Sequence, residues 1–374
     1  MRRLLVLTEV FYPEDFIINS LVKELSGKYK ITVVTRVPTY PRGKVFKGFS
    51  NVFSIRAENG IRVIRYPVFT NYNERKWAKV INLLWQPMAV LLISVLIRYD
   101  RVFVYQTGSI YSYCLLVNLR WSRAKSIMWS QDLWPEVAYE NGLPRVKLLD
   151  SFLKLITRTT LNHFTEVLVQ SEAFQSHYLT TYGVQSVVVY NYSLKEKSSS
   201  FADRRCFTNI VYAGNIGSLQ NLDGIVELFL NLRNSEPEII TSLDIYGDGS
   251  LFNFYREKYS SLKGITFFGR VPMDDVRLAL ESARYAIFSL VDGPIQNTLP
   301  SRLQFLYNLN IPIIYIGKGA AADFLNKWNG GVVFTSPHDE KCEDKLLSFE
   351  KKVFKTSDVF NKARIIEEIK GLLS

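Results

Sequence analysis

The sequence predicts an α/β protein built from two doubly wound halves, and three observations predict it. Short apolar runs alternate with longer amphipathic segments along most of the chain. The alternation is interrupted by a polar, serine-rich stretch and then restarts. At 374 residues the chain also exceeds what one hydrophobic core usually organises. Its composition, 47% hydrophobic and 22% charged, is that of a globular chain rather than a disordered one.

In chain order, RLLVLTEV, INSLVKELSGKY and KITVVTRV read as strand, helix and strand, a βαβ unit. IRVIRYPV, DRVFVYQT, KSIMWSQ, EVLVQS and SVVVYN continue as strands with helices between them, which sets an N-terminal domain over 1–190. YSLKEKSSSFADRRCF then reads as a linker over 191–207. The second domain, 208–356, restarts with TNIVYAGN and carries strands TSLDIYGDG, ITFFGRV, YAIFSLV, IPIIYIG and GGVVFT, with amphipathic segments such as DGIVELFLNLRN between them. The final stretch, 357–374, contains the amphipathic helix VFNKARIIEEIKGLL, which can cross back to the N-terminal domain.

Cys114, Cys206 and Cys342 are odd in number and far apart, so neither a disulfide framework nor a zinc knuckle is expected, and a reducing cytoplasm fits. His163, His177 and His338 show no metal-ligand spacing, and no metal site is predicted. MRRLLVLTEVFYP resembles a signal peptide only superficially: Glu9 interrupts the apolar run and no small-residue cleavage site follows, so a first buried strand explains it better. The formal charge of +11 calls for a partner of opposite sign: nucleic acid, anionic lipid or a phosphate-bearing substrate. No nucleic-acid module is present, so nucleic acid is not expected.

Residues 77–97, WAKVINLLWQPMAVLLISVLI, approach the length of a membrane span, but Lys79, Asn82, Gln86 and Pro87 break the run. A buried core helix is one reading. The other is contact with an anionic membrane surface, because Arg75, Lys76, Lys79, Arg98, Arg101, Arg120, Arg123 and Lys125 flank it together with Trp77, Trp85 and Trp121.

The first strand-to-helix junction, EVFYPEDFIINSL, lacks the G-x-G-x-x-G of a dinucleotide site, which argues against a simple nicotinamide dehydrogenase. There Pro13 can end the strand and Asp15 can cap the helix, or the loop can face a cleft. In the second half glycines recur at three strand ends, in AGNIGSLQN, YGDGS and FFGRVP, where backbone can approach a ligand closely. NTLPSRLQFLYNLNIPII adds a helix start at which Pro300 and Ser301 suit capping. The same start, with Arg302, suits an anion.

With SQDLWPE at 130–136, this set of motifs resembles glycosyltransferase family 4, retaining enzymes of the GT-B fold, and within it the subgroup that builds bacterial O-antigens and exopolysaccharides. FYPEDFIINSLVKEL is similar to that subgroup's FxPExFxINxLxKEL, and PTYPRGKVFKGF to its P-x-YP-x-G-K segment. SQDLWPE is similar to RDLWPE, YAGNIGSLQNLDGIVEL to YSGNIGxxQGL, YGDG to the GDG turn, FFGRVP to FLGRVP, and LPSRLQFLYNLNIPII to LPSKLxxYLAxGxPVI. The resemblance spreads over nearly the whole chain.

It implies two Rossmann-like domains facing a central cleft, and transfer of a hexosyl or N-acetylhexosaminyl group. The nucleoside diphosphate-sugar donor, a UDP-sugar, would lie in the C-terminal domain, and a polyprenyl-diphosphate-linked acceptor in the N-terminal one. The protein would sit in the cytoplasm, peripheral on the inner face of the cell membrane, with no cofactor. The resemblance places Arg302 and the helix start at Pro300 and Ser301 on the donor diphosphate, with Gly214, Asn215, Gln220, Gly247, Asn297 and Leu299 around it. Gly269 to Pro272, with Arg270 and Val271 among them, would lie near the base. On the N-terminal side Asp132 is the first catalytic candidate and Glu136 the second, with Pro13, Glu14 and Asn19 facing the acceptor. The chain also departs from the family. The common E-x7-E acids fall at Asn297 and Phe305, and the common arginine and lysine after the first C-domain strand at Asn215 and Gln220. Arg302 is left as the main cationic candidate. A sugar-nucleotide epimerase of the same architecture and a degenerate binding subunit are the rival readings.

Overall fold

The apolar runs become parallel strands because most are buried on both faces, which parallel sheets require. The computed structural model describes residues 1–72, 75–116, 124–140, 144–192, 204–339, 342–350 and 357–374. The chain divides into two compact units, Met1–Leu194 with Asn361–Ser374, and Lys195–Phe360.

The first unit holds β1 (Arg2–Thr8), β2 (Tyr29–Arg36), β3 (Ser54–Glu58), β4 (Ile61–Tyr66), β5 (Arg101–Gln106), β6 (Lys125–Ser130), β7 (Glu166–Val169) and β8 (Val187–Val188). Their order is β3-β4-β2-β1-β5-β6-β7-β8, parallel except for the β3–β4 hairpin. Of that hairpin β4 was expected, as IRVIRYPV, and β3 was not. Its turn is Asn59-Gly60, both at positive φ (50° and 77°), the conformation an NG hairpin turn needs. Helix Ile17–Leu25 buries Ile18, Leu21, Val22 and Leu25, and the final helix Lys362–Leu373 buries Ile365, Ile366, Ile369 and Leu373 in the same core. These are the i, i+3, i+4, i+7 stripes of helices covering a sheet.

The second unit holds β9 (Asn209–Ala213), β10 (Ser242–Tyr246), β11 (Ile265–Gly269), β12 (Tyr285–Ser289), β13 (Ile313–Ile316) and β14 (Gly331–Phe334). All pair in parallel in the order β11-β10-β9-β12-β13-β14. Helix Leu222–Ser235 packs seven buried residues onto this sheet, its start capped by Asn221, whose Oδ1 accepts from Gly224 N at 3.2 Å.

Of the linker read at 191–207, residues 193–203 lie outside the described residues. Asn191 donates to Gln131 Oε1 (2.6 Å) and Gln170 Oε1 (3.1 Å), and Tyr192 is buried in the first unit. Arg204 donates to the carbonyls of Leu280, Glu281 and Ala283 in the second.

One expectation needs correction. Pro87 does not break 77–97: Lys76–Val95 is one helix with Pro87 inside it. Nor is it a buried core helix, because Trp77, Val80, Leu84, Met88, Leu92 and Val95 are exposed. By length and composition it could cross a membrane, with 44% of the segment buried. Arg120, Trp121 and Arg123, which the sequence grouped with it, lie outside the described residues.

Candidate functional site

A doubly wound sheet opens a crevice where neighbouring strands run on in opposite directions, outside their carboxyl ends. In the second unit that point lies between β9 and β12. The loop leaving β9 begins at Gly214, and the helix following β12 begins at Ser301 and carries Arg302. The two meet there: a Cβ on Gly214 would lie 1.8 Å from Arg302 Nη2. Gly214 has φ +152°, so glycine is required twice over. The Arg302 guanidinium also lies over the Tyr212 ring, 4.7 Å from its centroid. Among the described residues no carboxylate pairs with it, so its charge is uncompensated.

The helix start differs from the capping expectation. Pro300, not Ser301, is the N-cap, and no side chain caps the helix. Pro300 O accepts from Leu303 N (3.0 Å) and Gln304 N (3.4 Å). The N–H groups of Ser301 and Arg302 find no acceptor among the described residues. Two backbone donors, the helix dipole and a guanidinium carried on the same first turn are the elements from which an anion site can be made. Leu299 is buried and anchors the turn. Asn297 is half-buried beside it.

The glycines at three strand ends form one ledge. Gly214 N donates to Tyr246 O at 2.9 Å and Gly247 N to Gly269 O at 2.8 Å. A Cβ on Gly247, whose φ is +133°, would lie 1.8 Å from Gly214 O. Asn215 and Gln220 are spent on the loop, Asn215 Nδ2 donating to Gln220 Oε1 at 3.2 Å and Gly217 N to the same oxygen at 3.0 Å. They shape the ledge and bring no cation. Arg270 is exposed and Val271 half-buried just past β11. We expect Gly214→Ala to displace the Arg302 guanidinium and lower the affinity for UDP about tenfold or more, the scale of losing a charged hydrogen bond. Calorimetry beside a thermal melt separates this from misfolding.

In the first unit the corresponding reversal lies between β1 and β5. Glu9, just past β1, sits against Gly108, just past β5: a Cβ there would lie 2.2 Å from Glu9 Oε2. Glu9 is buried, accepts from Ser112 Oγ at 2.6 Å, and has Arg36 Nη1 3.9 Å away. Burial pushes its carboxyl up, against the pull of Arg36. Asp132 follows the next strand, β6. Burial, assisted by the charge of Glu9, pushes its carboxyl up to about 7. Among the described residues it has no hydrogen-bond or ion-pair partner. A half-buried carboxyl with its pKa raised towards neutrality and its oxygens unengaged can accept a proton from a bound hydroxyl.

The other candidates of this unit hold helices and loops together. Glu136 is buried with His177 Nε2 at 3.1 Å and Tyr182 OH at 3.3 Å. Burial works against its charge, but these partners outweigh that and hold its carboxyl low. It ties helix Glu136–Glu140 to helix Glu172–Tyr182, in place of the catalytic role read from the sequence. Glu14 Oε1 accepts from Thr39 N (2.9 Å) and Tyr40 N (2.7 Å), and its Oε2 from Phe11 N (3.2 Å). One carboxylate thereby joins the FYPE and PTYP segments. Asn19 pins the same loop, its Oδ1 accepting from Tyr12 N and its Nδ2 donating to Glu14 O. Pro13 lies in that loop, half-buried. Asp15 does not cap the following helix, whose N-cap is Phe16.

The sequence reading missed Glu9, Arg36 and Gly108 as site residues. A lone acid ending an otherwise apolar strand, in LLVLTEV, was the available signal. Among the described residues no group of three or more His, Cys, Asp or Glu could hold a metal ion.

No family model matches the sequence, and no curated protein matches it. Solved structures do. Sucrose-phosphate synthase from Thermosynechococcus elongatus superposes with TM-score 0.67 at 13% identity, over 99% of this chain and 98% of that one. The lipopolysaccharide outer core galactosyltransferase WaaB, in apo form, gives 0.62 at 14% identity, over 99% of both chains. A trehalose-6-phosphate protein from E. coli, bound with UDP-2-fluoro glucose, gives 0.62 at 9% identity, over 99% and 95%. At such identities the likeness shows the fold alone: two α/β units, each with a largely parallel sheet, of the GT-B fold.

Proposed function

We propose that the protein is a retaining glycosyltransferase of the family 4 type. It moves a sugar from a nucleoside diphosphate-sugar, a UDP-sugar, to a polyprenyl-diphosphate-linked glycan in O-antigen or exopolysaccharide synthesis. It works in the cytoplasm, peripheral on the inner face of the cell membrane. The observation that carries the reading is Arg302 at an uncapped helix start, held against Gly214 where the sheet order reverses. The UDP-2-fluoro glucose of one neighbour and the lipopolysaccharide role of another support the donor and acceptor classes.

In the reaction the bond between sugar C1 and the diphosphate oxygen breaks, leaving its electron pair on the diphosphate. Arg302 and the N–H groups of Ser301 and Arg302 neutralise that charge as it develops. The acceptor hydroxyl oxygen forms the new bond to C1, and its proton passes to the Asp132 carboxylate.

The test is a donor panel with membrane-extracted lipid acceptors and mass spectrometry of the lipid product. A lipid heavier by one sugar is expected, and a free epimerised sugar nucleotide would instead establish the epimerase. Asn297 and Phe305, where the family has acids, favour one further reading, a binding subunit without turnover. Donor binding with no product from any donor would establish it. Because a guanidinium and a helix terminus stand where a cation would serve, we expect activity to survive chelation with EDTA. An absolute requirement for added Mg²⁺ or Mn²⁺ would refute that.

A further inference from the structure

Helix Lys76–Val95 faces the wrong way for water. Its fully buried side chains are mostly small or polar, Ala78, Asn82, Gln86, Ala89 and Ser94 with Val90, while Trp85 and Ile93 are half-buried against the core. Asn82 exchanges hydrogen bonds with the backbone of Phe69, at 2.9 Å each way, and Gln86 Oε1 accepts from Ser112 at 3.1 Å. Its outer side is apolar: Trp77, Val80, Leu84, Met88, Leu92 and Val95 are between 44% and 73% exposed. At 3.6 residues per turn these six fall within an arc of about 120°.

Helix Lys147–Leu161 repeats the inversion. Thr157 and Thr160 are buried with Leu161, and Leu153 and Ile156 are half-buried against the core, whereas Leu148, Phe152 and Leu155 are 83%, 57% and 61% exposed. Both helices pack on the short 3-10 turn Ile110–Tyr113, so the two faces belong to one side of the first unit. Exposed apolar side chains grouped on two helices over one core mark something other than water as their neighbour.

We infer that the outward faces of these two helices insert together into the interfacial boundary of an anionic lipid bilayer. Charge selects that occupant over a second copy of the chain. Arg75, Lys79, Arg98, Arg145, Lys147 and Arg158 are exposed around the apolar faces. Helix Lys76–Val95 contains no acid, and Asp150, the one acid of the other helix, is engaged by Lys154 at 2.8 Å and Tyr139 at 2.9 Å. Two copies face to face would set cation against cation. An anionic headgroup layer would pair with them while the side chains between them reach the acyl boundary. Trp77, with Arg75 6.0 Å from its ring, has the amphipathic character of a headgroup-level anchor. The inference rests on the proposed membrane location and changes its physics: apolar insertion holds the protein, and charge only selects the lipid.

The test is co-sedimentation with phosphatidylcholine vesicles and with vesicles that also contain phosphatidylglycerol. The native chain is compared with one carrying Leu84→Gln, Leu92→Gln, Leu148→Gln and Phe152→Gln. All four side chains are exposed, so the variant is expected to melt like the native protein. The native chain should bind the anionic vesicles and stay bound in molar salt. The variant should lose binding about tenfold or more, from the apolar area withheld from the bilayer. Equal binding by the variant, complete release by salt, or a soluble dimer that the variant dissolves and lipid does not would each overturn the inference. UDP affinity, measured on both proteins in solution, should be the same. Failure of insertion therefore leaves the donor site standing, and failure of UDP binding leaves insertion standing.

Discussion

Arg302→Ala is expected to weaken UDP binding by about 1.5–3 kcal/mol, the range for a hydrogen bond to a charged group. Turnover should fall further, by about 10²–10³-fold, because the charge on the departing diphosphate is largest in the transition state. The fold should survive, since the guanidinium is only half-buried and its recorded contacts are Gly214 and the Tyr212 ring. Arg302→Lys should recover part of the binding, for it restores the charge but not the planar fork that lies over Tyr212. Calorimetry with UDP and single-turnover rates check both. Unchanged UDP affinity in the alanine variant would remove the diphosphate role and leave this helix start a packing feature.

The reason Arg302 was legible in advance, while its setting was not, lies in which interactions are local. Apolar strand runs and helical stripes are read from neighbours in sequence, so the strands themselves, and the α/β class they imply, follow from runs such as RLLVLT and IVYA. A helix start after Leu-Pro-Ser-Arg is local too. That Gly214 sits against Arg302, 88 positions along the chain, depends on the strand order β9-β12, which no local pattern encodes. Glu14 and Asn19 were singled out from a motif, yet their hydrogen bonds go to loop backbone. Glu136 was read as an acid free for chemistry because its partners, His177 and Tyr182, lie some forty positions downstream. For helix Lys76–Val95 the sequence supports two readings, a buried helix and a membrane-surface contact, for the opposite reason. Its average apolar character is visible in sequence, but which face is turned inward is decided by Phe69 and Ser112, to which Asn82 and Gln86 bond.

Asp132→Asn should make the protein more stable and less active, a combination that a merely structural carboxyl would not show. In the folded protein burial, with the Glu9 charge behind it, lifts the Asp132 carboxyl from an ordinary value near 3.8 to about 7. Between those two pH values the folded state holds a proton that the unfolded state has released, so stability falls as pH rises through the window. The loss is complete above about pH 7, where burying the ionised carboxylate costs at most about 4 kcal/mol. An asparagine cannot ionise. The variant should therefore match the native protein near pH 4 in thermal or denaturant unfolding and exceed it increasingly towards pH 8. Transfer activity should move the other way. In the native enzyme kcat/KM should climb through about pH 7 as Asp132 loses its proton and becomes able to accept one from the acceptor hydroxyl. In the variant the climb should vanish and the rate above neutrality should drop by about 10²–10⁴-fold, the range for losing a positioned general base. Glu9→Gln offers a control, since removing its charge should shift the midpoint of the climb to lower pH without abolishing it. A variant at Asp132 that gains stability yet keeps the native rate and pH profile would confine this carboxyl to the architecture of the first unit.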